Sequence, residues 1–525
     1  MKGRSRWFVL PVVAALASVI ASTALGASRS VSRSSGLPTF TVAIDGDIDT
    51  LDPTFAGTTQ ARMVFVNMCW KLYDINSKLA IEPELASAMP RVSKNGLTVT
   101  IPLRHGVRFN DGSPFNAAAV KATLVRDMTT SGSARAADLS PISTVKAVGK
   151  YTVRIKLKAP YAPLASQLAD RAGMIMSPKQ LAKVGSSFGT APVCVGPFSF
   201  TSRVPGSSIT LTKSKYFWGA KNVHIGKIVY KIVPDGTVRS ALLRSGDVDA
   251  ALSLAGPDLA SIRGDSSLRL RWNIALATYQ IRINLANRGP GDPLSTWDTP
   301  LAQHADLREA LELALDRRQI VNVGLGGTAV PDCAPISTVN PYHKANPKCA
   351  KQNLALAKQL IAKSGVSTPI PFTMTYLQGS DNQRVAQVIQ SMLAQVGFKV
   401  TLQPVDIPTA VQKESSGNYQ VIYSYWSGRV DPDGDVYSFY DTQGSQNHTG
   451  ISNPTMDSLL TRARSATSFA ARFKLYQQAF KLIQQERNVI PLFHPVNYTG
   501  VKKSVKGFNV YSDNLPRVYG ATMRG

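Results

Sequence analysis

Cysteine is scarce, with four in 525 residues. That excludes a small scaffold held together by disulfides. No CxxC and no closely spaced Cys/His pair occurs, which argues against zinc. Charged residues make up only 18%, too few for a disordered chain or a coiled coil. Acidic residues are the rarer sign, 33 Asp+Glu against 59 Lys+Arg, for a formal net charge of +26. After the first 27 residues there is no run of 18 uncharged apolar residues, which excludes a multi-spanning membrane protein. No block of five basic residues and no aromatic-basic RNA-binding motif is present. The charge therefore reads as a solvated basic surface, facing an anionic membrane or cell wall, with no nucleic-acid partner. What is plentiful is apolar residues, at 44%. With this length they can build two or three packed units.

The chain begins like an export signal. Lys2, Arg4 and Arg6 form a basic start, Trp7 to Ala21 is almost wholly apolar, and small residues follow at Ala24, Gly26, Ala27 and Ser28. Residues 1–27 read as a signal peptide, cut after Gly26 or Ala27, or else retained as a short anchor. No Cys stands at the cut to carry a lipid. The Ser/Arg-rich stretch 28–37 reads as a flexible linker. Export permits disulfides. Cys333 and Cys349 lie in a Pro-rich loop and are expected to pair, which leaves Cys69 for Cys194. Free or buried thiols are the alternative for both pairs.

Alternation of Phe40, Val42 and Ile44 predicts a first strand, ended by turn residues from Asp45 to Pro53. Further strands are predicted near 97–103, 151–157, 209–211 and 227–233. Helices are predicted at 115–128, 237–244, 306–320, 351–363, 381–396 and 468–486. The clearest, 306–320, opens with Asp306 and Glu309 in a capping-box pattern and places Leu307, Ala310, Leu311, Ala314 and Leu315 on one face. Gly365 and Gly397 suit left-handed positions after the next two helices. Mixed β and α throughout means an α/β protein with several lobes. The alternating segment 279–285 and the apolar run 489–496 read as crossings between two lobes, which makes a hinge and a cleft.

Enzyme motifs are missing: no GxGxxG, GxxxxGK[ST], HExxH or GxSxG occurs. His105, His224, His304, His343, His448 and His494 never stand three to five apart, so each reads as isolated and no metal site is expected. The Asp431-Pro432-Asp433-Gly434-Asp435 run resembles the start of a calcium loop. Its Gly is fourth instead of sixth, and Thr442 stands where the twelfth-position Glu belongs. Paired carboxylates could serve an exported hydrolase, but nothing places a second one at the required separation. The segment from Tyr423 to Arg429 (YSYWSGR) combines aromatics, hydroxyls and a cation, as a ligand cleft does. An exposed loop flanked by core aromatics is the other reading.

Taken in order, several segments resemble the family 5 extracellular solute-binding proteins, the peptide-, nickel- and oligosaccharide-binding receptors of bacterial ABC importers. They are TVAIDGDIDTLDP (41–53), the run 82–124 with its Leu103-Arg104-His105-Gly106-Val107-Arg108-Phe109-Asn110-Asp111-Gly112-Ser113-Pro114 core, and Val195-Gly196-Pro197-Phe198. They continue with VPDGTVRSALLRSGDVDAAL (233–252), DLREALELALDRRQIVNVGLGGTAVP (306–331), Gly397-Phe398-Lys399-Val400 and Trp426 with Asp431-Pro432. The resemblance implies an α/β, two-lobed periplasmic-binding-protein (venus flytrap) fold of class II, with an inserted subdomain in the first lobe. Lobe I is then expected at 38–278, with the insertion at about 78–186. Lobe II is expected at 279–494, and 495–525 returns to lobe I. It implies a monomer that is periplasmic or on the cell surface. Such a protein has no catalysis and no cofactor, captures oligopeptides in the interlobe cleft and docks on a membrane permease.

In peptide-binding members a loop Trp is followed three residues later by an Asp that pairs with the peptide's amino group. Trp426 matches the Trp, but the third residue on is Arg429. A guanidinium repels an ammonium and attracts a carboxylate or phosphate. This departure keeps open a non-peptide solute, an oligosaccharide or an anionic compound. Asp431 or Asp433 could take the amine role if the loop is one residue shorter. The expected cleft residues are therefore Trp426, Ser427, Arg429, Asp431 and Asp433, with Tyr279 and Asn284 on one crossing and Phe493 and His494 on the other. Leu51, Asp52 and Trp70 are expected at the first-lobe edge. Each of these has a structural role as its alternative.

Overall fold

The computed structural model describes residues 36–289 and 297–524. The expected export signal, and all of the expected linker except Gly36 and Leu37, lie outside them. One sheet of 12 strands organises the chain. Six of its strands come from the earlier part of the chain. These are β1 (Thr39–Ile44), β2 (Phe198–Val204), β3 (Ser208–Lys213), β4 (Lys227–Ile232), β5 (Ala250–Ala251) and β6 (Leu268–Ile274). Five come later: β7 (Thr278–Ile283), β8 (Ala329–Pro331), β9 (Ile370–Leu377), β10 (Phe398–Val405) and β11 (Val421–Trp426). The last, β12 (Val489–Lys502), belongs to both groups.

The main path runs β10-β9-β11-β7-β12-β5-β1-β4-β3-β2, with β6 and β8 also pairing to β12. The first half of β12 pairs antiparallel with β7, from Arg282 opposite Val489 to Tyr279 opposite Phe493. Its second half pairs with β6, from Ile274 opposite Val496 to Leu268 opposite Lys502. At 14 residues it is long enough to serve two lobes. The apolar run foreseen there ends at 496; the strand itself continues to Lys502, because Thr499 and Val501 still face inward. A separate four-stranded sheet, Arg91–Val92, Thr98–Pro102, Thr152–Leu157 and Ile142–Ala147, packs against helix Ala117–Thr129 as the inserted subdomain.

Each group has its own core. Phe40, Val42, Ile44, Phe65, Phe198 and Tyr230 bury one. Ile281, Leu311, Ile389, Phe398 and Leu492 bury another, and Leu72, Ile101, Phe109, Val120 and Ile155 fill the insertion. Each fully buried large apolar side chain contributes about 1.5–3 kcal/mol. Cys69, the cap residue of helix Thr59–Met68, is bonded to Cys194, and Cys333 is bonded to Cys349.

The helix read over 306–320 is two helices, Ala305–Ala314 and Arg317–Leu325. Asp316 interrupts it: its carboxylate accepts the N–H groups of Arg318 at 2.9 Å and Gln319 at 3.1 Å, which caps the second helix. The Asp306 box does not form, because the cap position is His304 and its side chain makes no cap bond. Gly365 follows the cap residue Ser364 with φ 72, whereas Gly397 stands one residue further out than expected, two beyond the cap Gln395.

Candidate ligand-binding cleft

The segment after β11 turns sharply at Gly428. Its φ is 73, and a Cβ there would lie 2.1 Å from the carbonyl oxygen of Leu276. Only glycine fits. The turn aims Ser427 and Arg429 back toward the first half of the chain. Trp426 Nε1 donates to Asp435 Oδ1 at 2.7 Å, and the Arg429 guanidinium lies 4.4 Å from the centre of the Trp426 ring. Burial pushes the Asp435 carboxyl well up, against the opposing pull of that indole bond and Arg429.

Arg429 is not free. Its Nε lies 2.9 Å from Asp170, which also meets Arg62 Nε at 3.1 Å and Arg171 Nε at 3.7 Å. Burial works to raise the Asp170 carboxyl, but the guanidiniums of Arg62, Arg429 and Arg171 outweigh it and hold it well below the usual range. Ser427 Oγ accepts from Arg62 at 3.3 Å and from Arg429 at 3.1 Å. Residues far apart in the chain thus meet at one carboxylate.

Two cavities adjoin at Thr59, Tyr425 and Ser427. The larger, about 340 Å³, has Arg135, Arg171, Arg282 and Arg429 on its wall, with Asp49, Asp138 and Glu414. Those carboxylates are already engaged. Asp138 holds Arg135 at 3.1 Å, Glu414 holds Arg282 at 2.6 Å, and Asp49 accepts the Thr58 hydroxyl at 2.7 Å. Arg171 is less well matched: it donates to the carbonyls of Ala56 at 2.9 Å and Thr58 at 3.4 Å, and among the described residues its counterion is Asp170, 3.7 Å away and shared with Arg62 and Arg429. Burial, and then the neighbouring Arg135, push its guanidinium well below its ordinary range. The smaller cavity, about 150 Å³, is walled by Tyr279, Tyr423, Tyr425 and Phe493, and Asp45 stands in it. The rings of Tyr279 and Phe493 stack 4.9 Å apart. Asp45 Oδ1 accepts from Gln60 at 2.9 Å and forms no ion pair among the described residues.

Of the expected residues, Trp426, Ser427, Arg429, Tyr279 and Phe493 come together on these walls. The others stand elsewhere, each for a definite reason. Asp431 is clamped by two nitrogens of Arg472, at 2.6 and 2.7 Å. Asp433 is buried against Arg464 at 2.9 Å and Tyr161 at 3.2 Å; burial, partly offset by Arg464, lifts its carboxyl to about 6. Neither carboxylate reaches the cavities, so the amine role and the hydrolase reading both lose them. Asn284 donates to the carbonyls of Asn287, Gly417 and Tyr419 and holds a loop. Trp70 is boxed edge-on by Phe217, Trp218 and Tyr519. Leu51 is buried in the first core, and Asp52 pairs with Arg126 at 2.7 Å. His494 is fully buried behind the wall and is not isolated: it and His343 converge on Asp332.

The wall residues Thr59, Arg135, Arg171, Arg282 and Glu414 were not foreseen. Helix Thr59–Met68 is buried on every face, so it shows no polar stripe to read. The one available signal was Asp170-Arg171, adjacent charges inside the otherwise uncharged run 159–178.

The model of the family described as "Bacterial extracellular solute-binding proteins, family 5 Middle" matches residues 80–447. The glutathione-binding protein GsiB of Salmonella typhi is 27% identical over 486 residues, 90% of this chain and 92% of its own. Among solved structures, AgaA from A. tumefaciens in complex with agropinic acid has a TM-score of 0.81 at 25% identity, over 93% of this chain and 99% of that one. DppA from Helicobacter pylori in complex with the peptide STSA has a TM-score of 0.82 at 21% identity, over 93% of this chain and 98% of that one.

Proposed function

The chain belongs to the bacterial extracellular solute-binding proteins of family 5, the receptors of ABC importers, and from that membership we propose that it captures a small carboxylate-bearing solute, a short peptide or an amino-acid conjugate. The observation that carries this reading is the surplus of Arg171 on the wall of the larger cavity. A buried cation without a full counterion is costly, and a ligand carboxylate supplies the missing charge through short, charge-assisted hydrogen bonds. Asp45, unpaired in the adjoining cavity, offers the complementary place for an ammonium. At about 340 Å³ the larger cavity sits at the low end of the ~300–1,000 Å³ typical of small-molecule sites. That favours a compact solute over a long peptide. A relative named for glutathione and a similar structure in complex with agropinic acid, both carboxylate-bearing compounds, support the same reading.

The protein works without catalysis. Residues 38–278 with 495–525 form one lobe and 279–494 the other, and they close about the β7 and β12 crossings. The Asp170 to Arg429 contact then joins the lobes only when the cleft is shut, and the ligand adds differential affinity for that state. The closed form delivers the solute to its permease. Calorimetry with the solute recovered from the protein, intact and with its carboxylates esterified, tests the assignment. Charged hydrogen bonds contribute about 1.5–3 kcal/mol, so esterification should weaken binding ~10–150-fold. Equal affinity for both forms overturns it.

A further inference from the structure

Behind the cleft wall, Asp332, His343 and His494 converge although 162 residues separate the first from the last. His343 Nε2 lies 2.5 Å and His494 Nε2 3.1 Å from the same oxygen, Asp332 Oδ2. The three ligand atoms all lie within 4.8 Å of one another. Neither the family membership nor the proposed transport role assigns these residues anything.

The hydrogen bonding of His494 fixes which of its ring nitrogens faces the cluster. Its Nδ1 stands 3.1 Å from the carbonyl oxygen of Ala277 and 3.2 Å from the Thr278 hydroxyl. A carbonyl can only accept, so Nδ1 carries the proton, as in a metal-ligating His steered by a backbone carbonyl. His494 Nε2 is thereby directed at the Asp332 carboxylate, 3.1 Å from Oδ2. His494 is fully buried and the Asp332 side chain is only 12% exposed, so the three groups converge in a place largely shielded from water, where a cation would be held by all of them.

We propose that Asp332, His343 and His494 bind a divalent transition-metal ion of the zinc class. Two imidazoles and one carboxylate are donors that suit zinc. Tetrahedral zinc with ligands at ~2.0–2.1 Å needs donor atoms about 3.3 Å apart, so His343 must draw back by less than about 1 Å. It can do so, because it sits on the short 3-10 turn Pro341–Ala345 and its side chain is 27% exposed, which also gives the ion a way in. The Cys333–Cys349 bridge closes the loop that carries His343, and Asp332 directly precedes it. Asp332 Oδ1 is fixed by the N–H of Cys333 at 2.7 Å. The outer shell of the site is therefore already built. With His494 on β12 and Ala277 next to β7, the ion would fasten the loop to both crossing strands.

The test uses the untagged mature chain, stripped with EDTA and titrated with zinc chloride by calorimetry, with thermal unfolding alongside. One bound equivalent and a raised Tm are expected. His343→Ala and Asp332→Asn should each weaken that site by more than the ~10–100-fold that a lost outer-shell partner costs. His105→Ala, an exposed residue elsewhere, should leave it unchanged. Cobalt should give a visible d–d band in the wild type that is lost in His343→Ala. No stoichiometric zinc in the wild type means that a proton alone fills the gap and overturns the proposal, as does an equivalent that survives both variants.

Discussion

Asp170→Asn is the most informative single change in the cleft. The carboxylate is 7% exposed and faces three guanidiniums, those of Arg429, Arg62 and Arg171. Asn preserves the shape but removes the charge and turns an amide N–H₂ or carbonyl toward cations that need a full anion. Breaking a buried ion pair by deleting one partner costs about 3–5 kcal/mol, because the remaining charge stays buried and unpaired. Arg135 adds to the repulsion that Arg171 then feels, so the upper half of that range is expected. Urea unfolding of the protein saturated with its recovered solute, the state in which the Asp170 to Arg429 contact is made, gives the stability change. Combining the change with Arg429→Met removes one of the stranded cations, so the pair should cost less than the sum by about 0.5–3 kcal/mol. A loss below about 1 kcal/mol for Asp170→Asn, or strict additivity with Arg429→Met, would refute the claim that this carboxylate holds the two halves of the cleft together.

Arg171→Met should weaken binding of the natural solute ~10-fold or more while Arg171→Lys recovers part of it; calorimetry that finds both equal to wild type removes Arg171 from the site. Asp127 is fully buried, accepts the Thr54 hydroxyl at 2.5 Å, and burial lifts its carboxyl to about 7. Between about pH 4, where an unfolded Asp ionises, and pH 7 the native state holds the extra proton. Its stabilising effect is therefore complete below pH 4 and lost as pH rises to 7, a change on the order of 4 kcal/mol at about 1.4 kcal/mol per unit. Asp127→Asn should flatten that part of the stability profile, and parallel profiles for variant and wild type would contradict the assignment. The Cys69–Cys194 bridge spans 125 residues and Cys333–Cys349 spans 16. Replacing the first pair by Ala should cost about 4–5 kcal/mol and the second about 3 kcal/mol, read from urea midpoints; a reversed order would show that loop closure is not the main source of their effect.

Alternation and capping made much of the frame readable. Phe40, Val42 and Ile44 mark β1, and Asn116, Asp235 and Ser468 cap helices close to where they were expected. Short-range patterns fail where tertiary burial decides. Helix Thr59–Met68 and helix Asp433–Tyr440 are nearly continuous in burial, so they show no amphipathic stripe. The cleft was half legible for the same reason. Trp426, Ser427 and Arg429 form one local cluster that composition can flag. Arg282 and Glu414 gain their meaning from each other across 132 residues, and Arg171 from the Ala56 carbonyl, 115 residues away. Asp431 and Asp433 misled because a carboxylate in a loop looks available until Arg472 and Arg464, from later helices, take it.

The account stands most directly on what the cleft holds. Denaturing the freshly purified protein and analysing the released small molecules by mass spectrometry reads it out. A compact solute with at least one carboxylate, at close to one per chain, is the predicted result. A neutral sugar, or a peptide too long for the larger cavity, would contradict the role given to Arg171 and to the wall around it.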